Sequence, residues 1–172
     1  MVTVRRLKNE DAETYQKIRL EALEVAPQAF GSTLAREQAL SRAEFIRRLE
    51  NGLSLGAFED DALVGVVGLV VAAGEKERHK GTLVGMYVSL SARGRGVGQA
   101  LVEGLLATAV GVVEQVNLAV VDDNVRARSL YERCGFSAYG LETRALKYHD
   151  QYFDDVLMVR FLNTSEVTGA QK

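Results

Sequence analysis

Apolar residues in the first 52 positions follow two different spacings. A short alternating segment is typical of a strand, and the apolar residues after it recur at helical intervals. A proline, two hydroxyl residues and a capping-box pattern divide the helical part into three. The predicted elements are a strand at Thr3–Leu7, a helix from Asn9 that ends before Pro27, a short helix capped by Ser32 or Thr33, and a helix that opens on Ser41 and Glu44 and ends at Asn51–Gly52.

After Gly52 the spacing becomes that of strands, interrupted by two helices. The segment Ala62–Ala73 is apolar on both faces, which places it in the middle of a sheet. The predicted strands are Leu53–Phe58, Ala62–Ala73, Thr82–Leu90, Gln115–Val121 and two more between Phe136 and Leu162 joined near His149–Asp150. One predicted helix begins near Val97, and a second covers Asn124–Cys134. We predict one mixed α/β domain over residues 1–162 and a polar tail over 163–172.

Composition excludes several kinds of chemistry. The chain has one cysteine, two histidines and no tryptophan, so neither a disulfide framework nor a Cys/His zinc site can be built from it. Cys134 falls on an apolar helical stripe and is predicted to lie in the core. A formal net charge of -2 argues against nucleic acid as the main ligand. No apolar stretch is long enough for a membrane span, and we expect a cytoplasmic protein.

A glycine-rich turn, Arg93–Gly98, follows a predicted strand and opens a predicted helix. Such a turn leaves backbone N–H groups free at a helix N-terminus, which is a site for phosphate groups. The simplest alternative is a tight turn that needs glycine only for its geometry. A Walker A loop is excluded because no Gly-Lys pair occurs. A dinucleotide fingerprint would need glycine at Gln99, although Asp122 suits a ribose-binding acid, so this alternative stays open.

Two motifs resemble one known family. Arg93-x-x-Gly96-x-Gly98, placed after Met86–Val88, is similar to the acetyl-CoA-binding motif of the GNAT superfamily of N-acetyltransferases. The segment Asn124–Phe136 resembles the block that follows in that family, with Asn, Ala, Leu-Tyr and Gly-Phe at the same spacing. The resemblance implies the GNAT fold: a central, mixed, largely antiparallel twisted sheet with helices on both faces. It also implies that two strands splay apart at the coenzyme A site.

The resemblance further implies acetyl-CoA as co-substrate, without a metal. In the family a bulge separates the strand of Met86–Val88 from the strand that corresponds to Gln115–Val121, and the freed backbone pairs with the pantetheine arm. The turn amides would cradle the pyrophosphate, and Asn124 would hold the pantetheine near the thioester. The implied cofactor-binding residues are Met86, Tyr87, Val88, Arg93, Gly94, Arg95, Gly96, Val97, Gly98, Asn124, Ala127 and Tyr131.

The implied reaction is direct attack of an acceptor amine on the acetyl carbonyl, with Tyr131 protonating the departing thiolate. An alkylammonium is only about 0.04% free amine at pH 7, so a base must remove its proton. Thr82 occupies the position where some family members have a glutamate, and its hydroxyl cannot act as the base. His79 is the nearest titratable candidate for that role. The acceptor, an amine of a small molecule or a protein, is expected to meet Phe30, Ser32, Glu37 and Glu142, of which the two glutamates are further candidate bases. Both glutamates otherwise read as surface charge.

Two further expectations concern activity and assembly. The unfilled base position leaves open a non-catalytic acyl-CoA-binding module of the same fold as an alternative to the enzyme. Family members often dimerise, so the resemblance makes a homodimer one possibility, and the sequence leaves the oligomeric state open.

Overall fold

The computed structural model describes residues 1–162 of the chain, and the tail predicted at 163–172 lies outside the described residues. Strands and helices follow one another in the predicted order, with bounds that differ from the sequence expectation by a few residues. The strands are β1 (Thr3–Arg6), β2 (Leu53–Glu59), β3 (Ala62–Val71), β4 (Lys80–Val88), β5 (Gln115–Val121), β6 (Ser137–Tyr148) and β7 (Gln151–Phe161). The helices are α1 (Ala12–Val25), α2 (Leu34–Gln38), α3 (Arg42–Asn51), α4 (Val97–Ala109) and α5 (Val125–Arg133).

The seven strands form one sheet in the order β1-β2-β3-β4-β5-β7-β6. All neighbouring pairs are antiparallel except β4 and β5, which run parallel. The apolar strand β3 lies third in this order, as its two apolar faces predict. β7 runs between β5 and β6, so the last strand of the described chain is internal and β6 forms the outer strand.

Each face of the sheet is covered by its own helices. Buried residues of α4 and α5, such as Leu101 and Tyr131, pack with β5 and β7 in the larger core. Buried residues of α1 and α3, such as Ile18 and Phe45, pack on the other face against β3 and β4. The predicted mixed α/β sheet with helices on both faces is therefore confirmed, and Cys134 is buried in the larger core as expected.

Helix ends follow the predicted caps, with one difference. The capping box of α3 forms: the Ser41 hydroxyl accepts from the Glu44 amide at 3.3 Å, and Glu44 Oε2 accepts from the Ser41 amide at 2.7 Å. Thr33, of the two predicted alternatives, caps α2. The α1 helix begins at Ala12 rather than next to Asn9, because the Asp11 carboxylate accepts the Lys8 amide and ends a preceding 3-10 turn.

The parallel pairing of β4 with β5 is short. It joins Lys80–Thr82 to Gln115–Asn117, and beyond these three positions the two strands have no register partners in each other. Leu83–Val88 and Leu118–Val121 therefore diverge, and a V-shaped opening separates them, as the resemblance implied. Within the described range, no helix has the length and apolar character to cross a membrane. The same range contains no cluster of three or more His, Cys, Asp or Glu side chains suited to a metal ion.

Candidate active site

A β-bulge in β4 lies beside the opening. Tyr87 pairs with Val66 and Val84 with Gly68, so β4 has one more residue than β3 between these two pairs. Gly85 lies within the bulge at φ +61°, in the left-handed region that favours glycine. The bulge reorients the end of β4, so that Met86 and Val88 pack on the α4 side and Tyr87 on the α1 side.

The glycine-rich turn presents an open backbone at the start of α4. Gly94 and Gly96 have φ values of +78° and +79°, and an added Cβ would meet no atom within 4 Å at either position. Among the described residues, the backbone N–H groups of residues 94–99 have no hydrogen-bond acceptor. Alternating left-handed glycines with free N–H groups form an anion-binding concavity at a helix N-terminus. The turn is thus shaped to bind phosphate oxygens.

The two arginine side chains of the turn are bound to protein acceptors. Arg93 Nε donates to the Val88 carbonyl at 2.9 Å, and its guanidinium lies 5.5 Å from the centre of the Tyr87 ring. Arg95 donates to Glu59 at 2.7 Å and to the Ser91 carbonyl at 3.0 Å. These contacts fix the turn to the ends of β2 and β4. The anion-binding capacity of the turn therefore comes mainly from its backbone.

Gly98 has a different role from the other two glycines. A Cβ at this position would lie 3.1 Å from Leu130 Cδ2 and 3.4 Å from Met86 Cε. Its missing side chain therefore lets α4 pack closely against α5 and β4. Val97, next to it, is fully buried in the larger core and anchors the first turn of the helix.

Asn124 lies at the open end of β5 and caps α5. Its Oδ1 accepts from the Ala127 amide at 3.1 Å, and its own amide N–H donates to the Val121 carbonyl at 2.9 Å. The side-chain NH₂ group of Asn124 has no acceptor among the described residues and remains a donor beside the V. Ala127 is half-buried against the larger core.

Tyr131 is on the inner face of α5, with its ring buried against Phe136 at a centroid distance of 5.9 Å. Burial raises the pKa of its phenol well above the ordinary value, and Cys134 adds to this shift. Its hydroxyl has no hydrogen-bond partner among the described residues and is not completely enclosed. The side chain is thus a neutral hydroxyl donor that is free to serve a bound group.

Tyr87 lies on the opposite face of β4. Its hydroxyl donates to Glu21 Oε1 of α1 at 2.9 Å. Burial and the Glu21 carboxylate raise the pKa of Tyr87 to about 12, although Arg93 acts in the other direction. The α1 helix is therefore tied to the strand at the opening.

Three predicted acceptor residues lie around a buried ion pair. Glu37 is 1% exposed, and its Oε1 accepts from Arg19 Nη2 at 2.6 Å, while its Oε2 lies 3.3 Å from Arg48 Nη1. Burial raises the pKa of Glu37, but Arg19, Arg48 and the Ser32 hydroxyl together outweigh it, and the pKa is lowered. The Arg19 guanidinium also lies 5.4 Å from the Phe30 ring centre. Glu37 is thus a buried carboxylate, ionised at neutral pH and paired with two arginines, rather than surface charge.

The remaining two predicted bases lie at different ends of the sheet. His79 comes directly before β4, and its carbonyl accepts from the Glu114 amide at 2.8 Å, at the end where β4 and β5 are paired. About three residues of strand, roughly 10 Å, separate it from the opening. Glu142 is exposed on β6 and pairs in register with Asp155 of β7, near the open end.

Two residues near the opening, Gly85 and Asp155, were absent from the sequence interpretation. Gly85 creates the bulge, and its only signal was a glycine inside a strand pattern, which often marks a bulge. Asp155 is 9% exposed on β7, and burial, Glu142 and Asp154 raise the pKa of its carboxyl. A charged residue inside the alternating pattern of a strand was the available signal.

The topology decides against the dinucleotide-binding alternative. That fold requires a mostly parallel sheet with a crossover helix between successive strands. Here five of the six neighbouring strand pairs are antiparallel, and Gln99 occupies the place of the third glycine.

Comparison with known proteins agrees with this geometry. The sequence model of the Acetyltransferase (GNAT) family matches residues 7–136. An acetyltransferase of the GNAT family from Streptococcus pneumoniae is 22% identical, with a TM-score of 0.83 over 95% of this chain and 100% of that chain. The ribosomal-protein-alanine N-acetyltransferase from Brucella melitensis is 23% identical, with a TM-score of 0.79 over 93% and 99%. A candidate acetyltransferase from Salmonella typhimurium, solved with its cofactor acetyl-CoA, is 15% identical, with a TM-score of 0.84 over 95% of both chains. At these identities the structures show the fold, and the family match shows the rest: the chain belongs to the acetyltransferase (GNAT) family and is an acetyl-CoA-dependent N-acetyltransferase.

Proposed function

We propose that acetyl-CoA lies in the V between β4 and β5, with its diphosphate on the turn at residues 93–98. The observation that carries this proposal is the row of acceptor-free N–H groups at residues 94–99, directly beyond the open end of β4. The pantetheine arm would then run along the freed backbone at Met86 and Val88, as an additional strand does. The free amide group of Asn124 is placed to hold the arm near the thioester.

In this proposal Tyr131 serves the leaving group. As the C–S bond breaks, negative charge collects on sulfur, and the phenol hydrogen bond stabilises it. Its raised pKa keeps Tyr131 protonated throughout the working pH range. The second proton of the attacking nitrogen finally resides on the thiol. Tyr131 acts as the donor through which this proton is delivered, so no acyl-enzyme and no thiol nucleophile is required.

The acceptor is proposed to be a primary amine that approaches from the α1 side of the sheet. Tyr131 lies on the α5 side, and Tyr87, Phe30 and Ser32 lie on the α1 side or in the connection after it. Nucleophile and leaving group would thus occupy different faces of the V. The amine belongs to a small molecule or to a protein; the similar enzyme from Brucella melitensis is named for the alanine of a ribosomal protein, which illustrates the second class.

The test is a thiol-release assay with acetyl-CoA and a panel of alkylamines, amino acids and peptides. Wild type should release CoA with at least one amine. Tyr131→Phe should reduce kcat by about 100-fold or more while CoA affinity, measured by calorimetry, stays unchanged. Tyr139→Phe is the matched control, because that hydroxyl is on β6 and the residue is 57% exposed. Wild-type CoA binding without turnover on any amine would instead support the acyl-CoA-binding module.

The cytoplasmic location stays a prediction, and the homodimer stays a possibility to be tested. Exposed apolar side chains on β3 and β4, Val70 at 55% and Val84 at 40%, lie beside Thr82 on the α1 side of the sheet and offer one surface for a second copy. Light scattering of wild type and Val70→Lys would show whether this face joins two copies.

A further inference from the structure

Asp155 is a buried carboxylate without a partner. It is 9% exposed, its Oδ1 is enclosed with no hydrogen bond, and neither oxygen is paired with a described cation. A buried charge normally requires a counter-ion or hydrogen bonds. The neighbouring Asp154 differs, since its Oδ1 accepts from the Arg144 amide at 2.7 Å. A cation or a hydrogen-bond donor placed beside Asp155 would therefore be stabilised by its carboxylate.

The strand register places Asp155 at the height of the proposed thioester. Asp155 pairs with Val121, the last residue of β5. β5 and β4 start level, with Lys80 beside Gln115, so Val121 is level with Met86 and Tyr87. The carboxylate is therefore one strand beyond the V, opposite the bulge.

Face alternation places Asp155 on the acceptor side. Val156 and Val120 belong to the larger core on the α4 and α5 face, with Tyr131. Their neighbours Asp155 and Val121 therefore point to the other face, the one that Tyr87 occupies. Tyr131 and Asp155 lie on opposite sides of the sheet.

A second carboxylate stands directly beside Asp155. Glu142 of β6 is its register partner, and like charges at such paired positions repel each other. Within residues 1–162 neither side chain forms an ion pair with a lysine or arginine, and the β5 neighbour, Val121, is apolar. The cations nearest the bulge are engaged elsewhere: Arg19 with Glu37 and Arg93 with the Val88 carbonyl. This arrangement is complementary to an added cation.

We propose that Asp155 is the residue that binds the acceptor: it holds the ammonium group of a cationic alkylamine on the face of the sheet opposite Tyr131 and takes one of its protons as the nitrogen attacks. Glu142 adds to the negative potential. The inference rests on the proposed function and narrows the acceptor to an amine that arrives charged. One ammonium proton passes to the Asp155 carboxylate, and the nitrogen lone pair forms the C–N bond. As the C–S bond breaks, its electron pair stays on sulfur, and the second proton lost by nitrogen reaches that sulfur through Tyr131, which leaves a neutral amide and free CoA thiol. Asp155 then returns its proton to solvent.

The raised carboxyl pKa of Asp155 is consistent with this role. Burial, Glu142 and Asp154 bring the pKa closer to that of an alkylammonium, which lowers the cost of the proton transfer. The raised pKa also means that ionised Asp155 lowers the free energy of unfolding at neutral pH when no cation is bound, because the native state then holds a charge that its surroundings disfavour. Asp155 therefore destabilises the fold in the absence of a bound cation, whereas a carboxylate that served only structure would stabilise it.

The experiment compares Asp155→Asn with wild type on two nucleophiles. One is the best alkylamine from the panel; the other is hydroxylamine, which is largely uncharged at neutral pH and needs neither an ammonium site nor a base. With the alkylamine, kcat/KM should fall at least about 100-fold and recover as the pH rises, since free amine then becomes available from solution. With hydroxylamine it should change by less than about threefold, and the CoA affinity should be unchanged.

Controls separate this inference from the proposed function. Asp150→Asn makes the same change at a 97% exposed position on the same hairpin and should leave both rates unchanged. The melting temperature of Asp155→Asn should equal or exceed that of wild type. If the asparagine variant does not fold, Asp155→Ser is measured in its place. Equal loss with both nucleophiles, or none with the alkylamine, overturns the role of Asp155 while wild-type turnover still supports the proposed function. Absence of wild-type turnover with every amine overturns both.

Discussion

Replacing Gly96 with glutamate tests whether the open backbone of the turn binds the diphosphate. The glycine has φ +79°, so any side chain adds backbone strain of about 1–2 kcal/mol. For a chain of this length that strain lowers the melting temperature by roughly 2–8 °C. No atom lies within 4 Å of the added Cβ, so the side chain enters open space and the protein still folds.

The electrostatic part of the effect follows from the distance. A carboxylate about 5 Å from one phosphate charge, at an effective dielectric constant near 20, repels it by about 3 kcal/mol. Salt reduces this value at an exposed site, and we expect CoA to bind at least about 30-fold more weakly. Gly96→Gln adds the same bulk and strain without the charge, so the difference between the two variants isolates the repulsion.

Gly111→Glu is the matched control. Gly111 has φ +80° and equally open surroundings, but it follows the other end of α4, about 20 Å away along the 13-residue helix. Calorimetric titration with CoA at constant ionic strength measures all three variants. A folded Gly96→Glu with wild-type affinity, or an equal loss in Gly111→Glu, would refute the assignment of the diphosphate to this turn.

Two further predictions concern the supports of the site. Glu37→Gln leaves the buried Arg19 without its counter-charge and should lower the free energy of unfolding at pH 7 by about 3 kcal/mol in urea titrations. Because the native pKa of Glu37 is lowered, its contribution is complete above about pH 4.3 and is lost as the pH falls through the native pKa, a loss that the variant should not show. Gly85→Ala places a Cβ at φ +61° and 3.1 Å from Arg19 Nη1, so it should lose about 1–2 kcal/mol of thermal stability and bind CoA more weakly. The control is Gly140→Ala, whose added Cβ would lie at an ordinary 3.6 Å from Leu157 Cδ1; it should change neither the thermal stability nor the CoA affinity.

Local signals in the sequence predicted local structure well. The Ser41 and Glu44 pattern forms its capping box, and α1 ends before Pro27. The connection predicted near His149–Asp150 contains both residues at positive φ. In each case the side chain that determines the backbone is within a few positions of it, so the sequence contains both partners of the interaction.

Contacts between distant segments were not predicted. Glu37 read as surface charge because Arg19 and Arg48, which neutralise it, belong to two other helices. The burial of Asp155 was not predicted, because it depends on the insertion of β7 between β5 and β6. The spacing of apolar residues along the chain does not indicate which strands pair. The glycine turn was found because its residues are consecutive, whereas the proposed acceptor side is assembled from α1, β4 and β7.

The short pairing between β4 and β5 would make acetyl-CoA, bound in the V as proposed, part of the architecture of the sheet. Only three register positions join the two halves of the sheet, and beyond them two rows of backbone groups face each other unpaired. Such edges can recruit strands from other molecules. Acetyl-CoA at a hundred times its Kd would add about 2.7 kcal/mol to stability while covering one of them. The enzyme depleted of its cofactor should therefore aggregate sooner on storage and exchange its β4 amides faster than the loaded form.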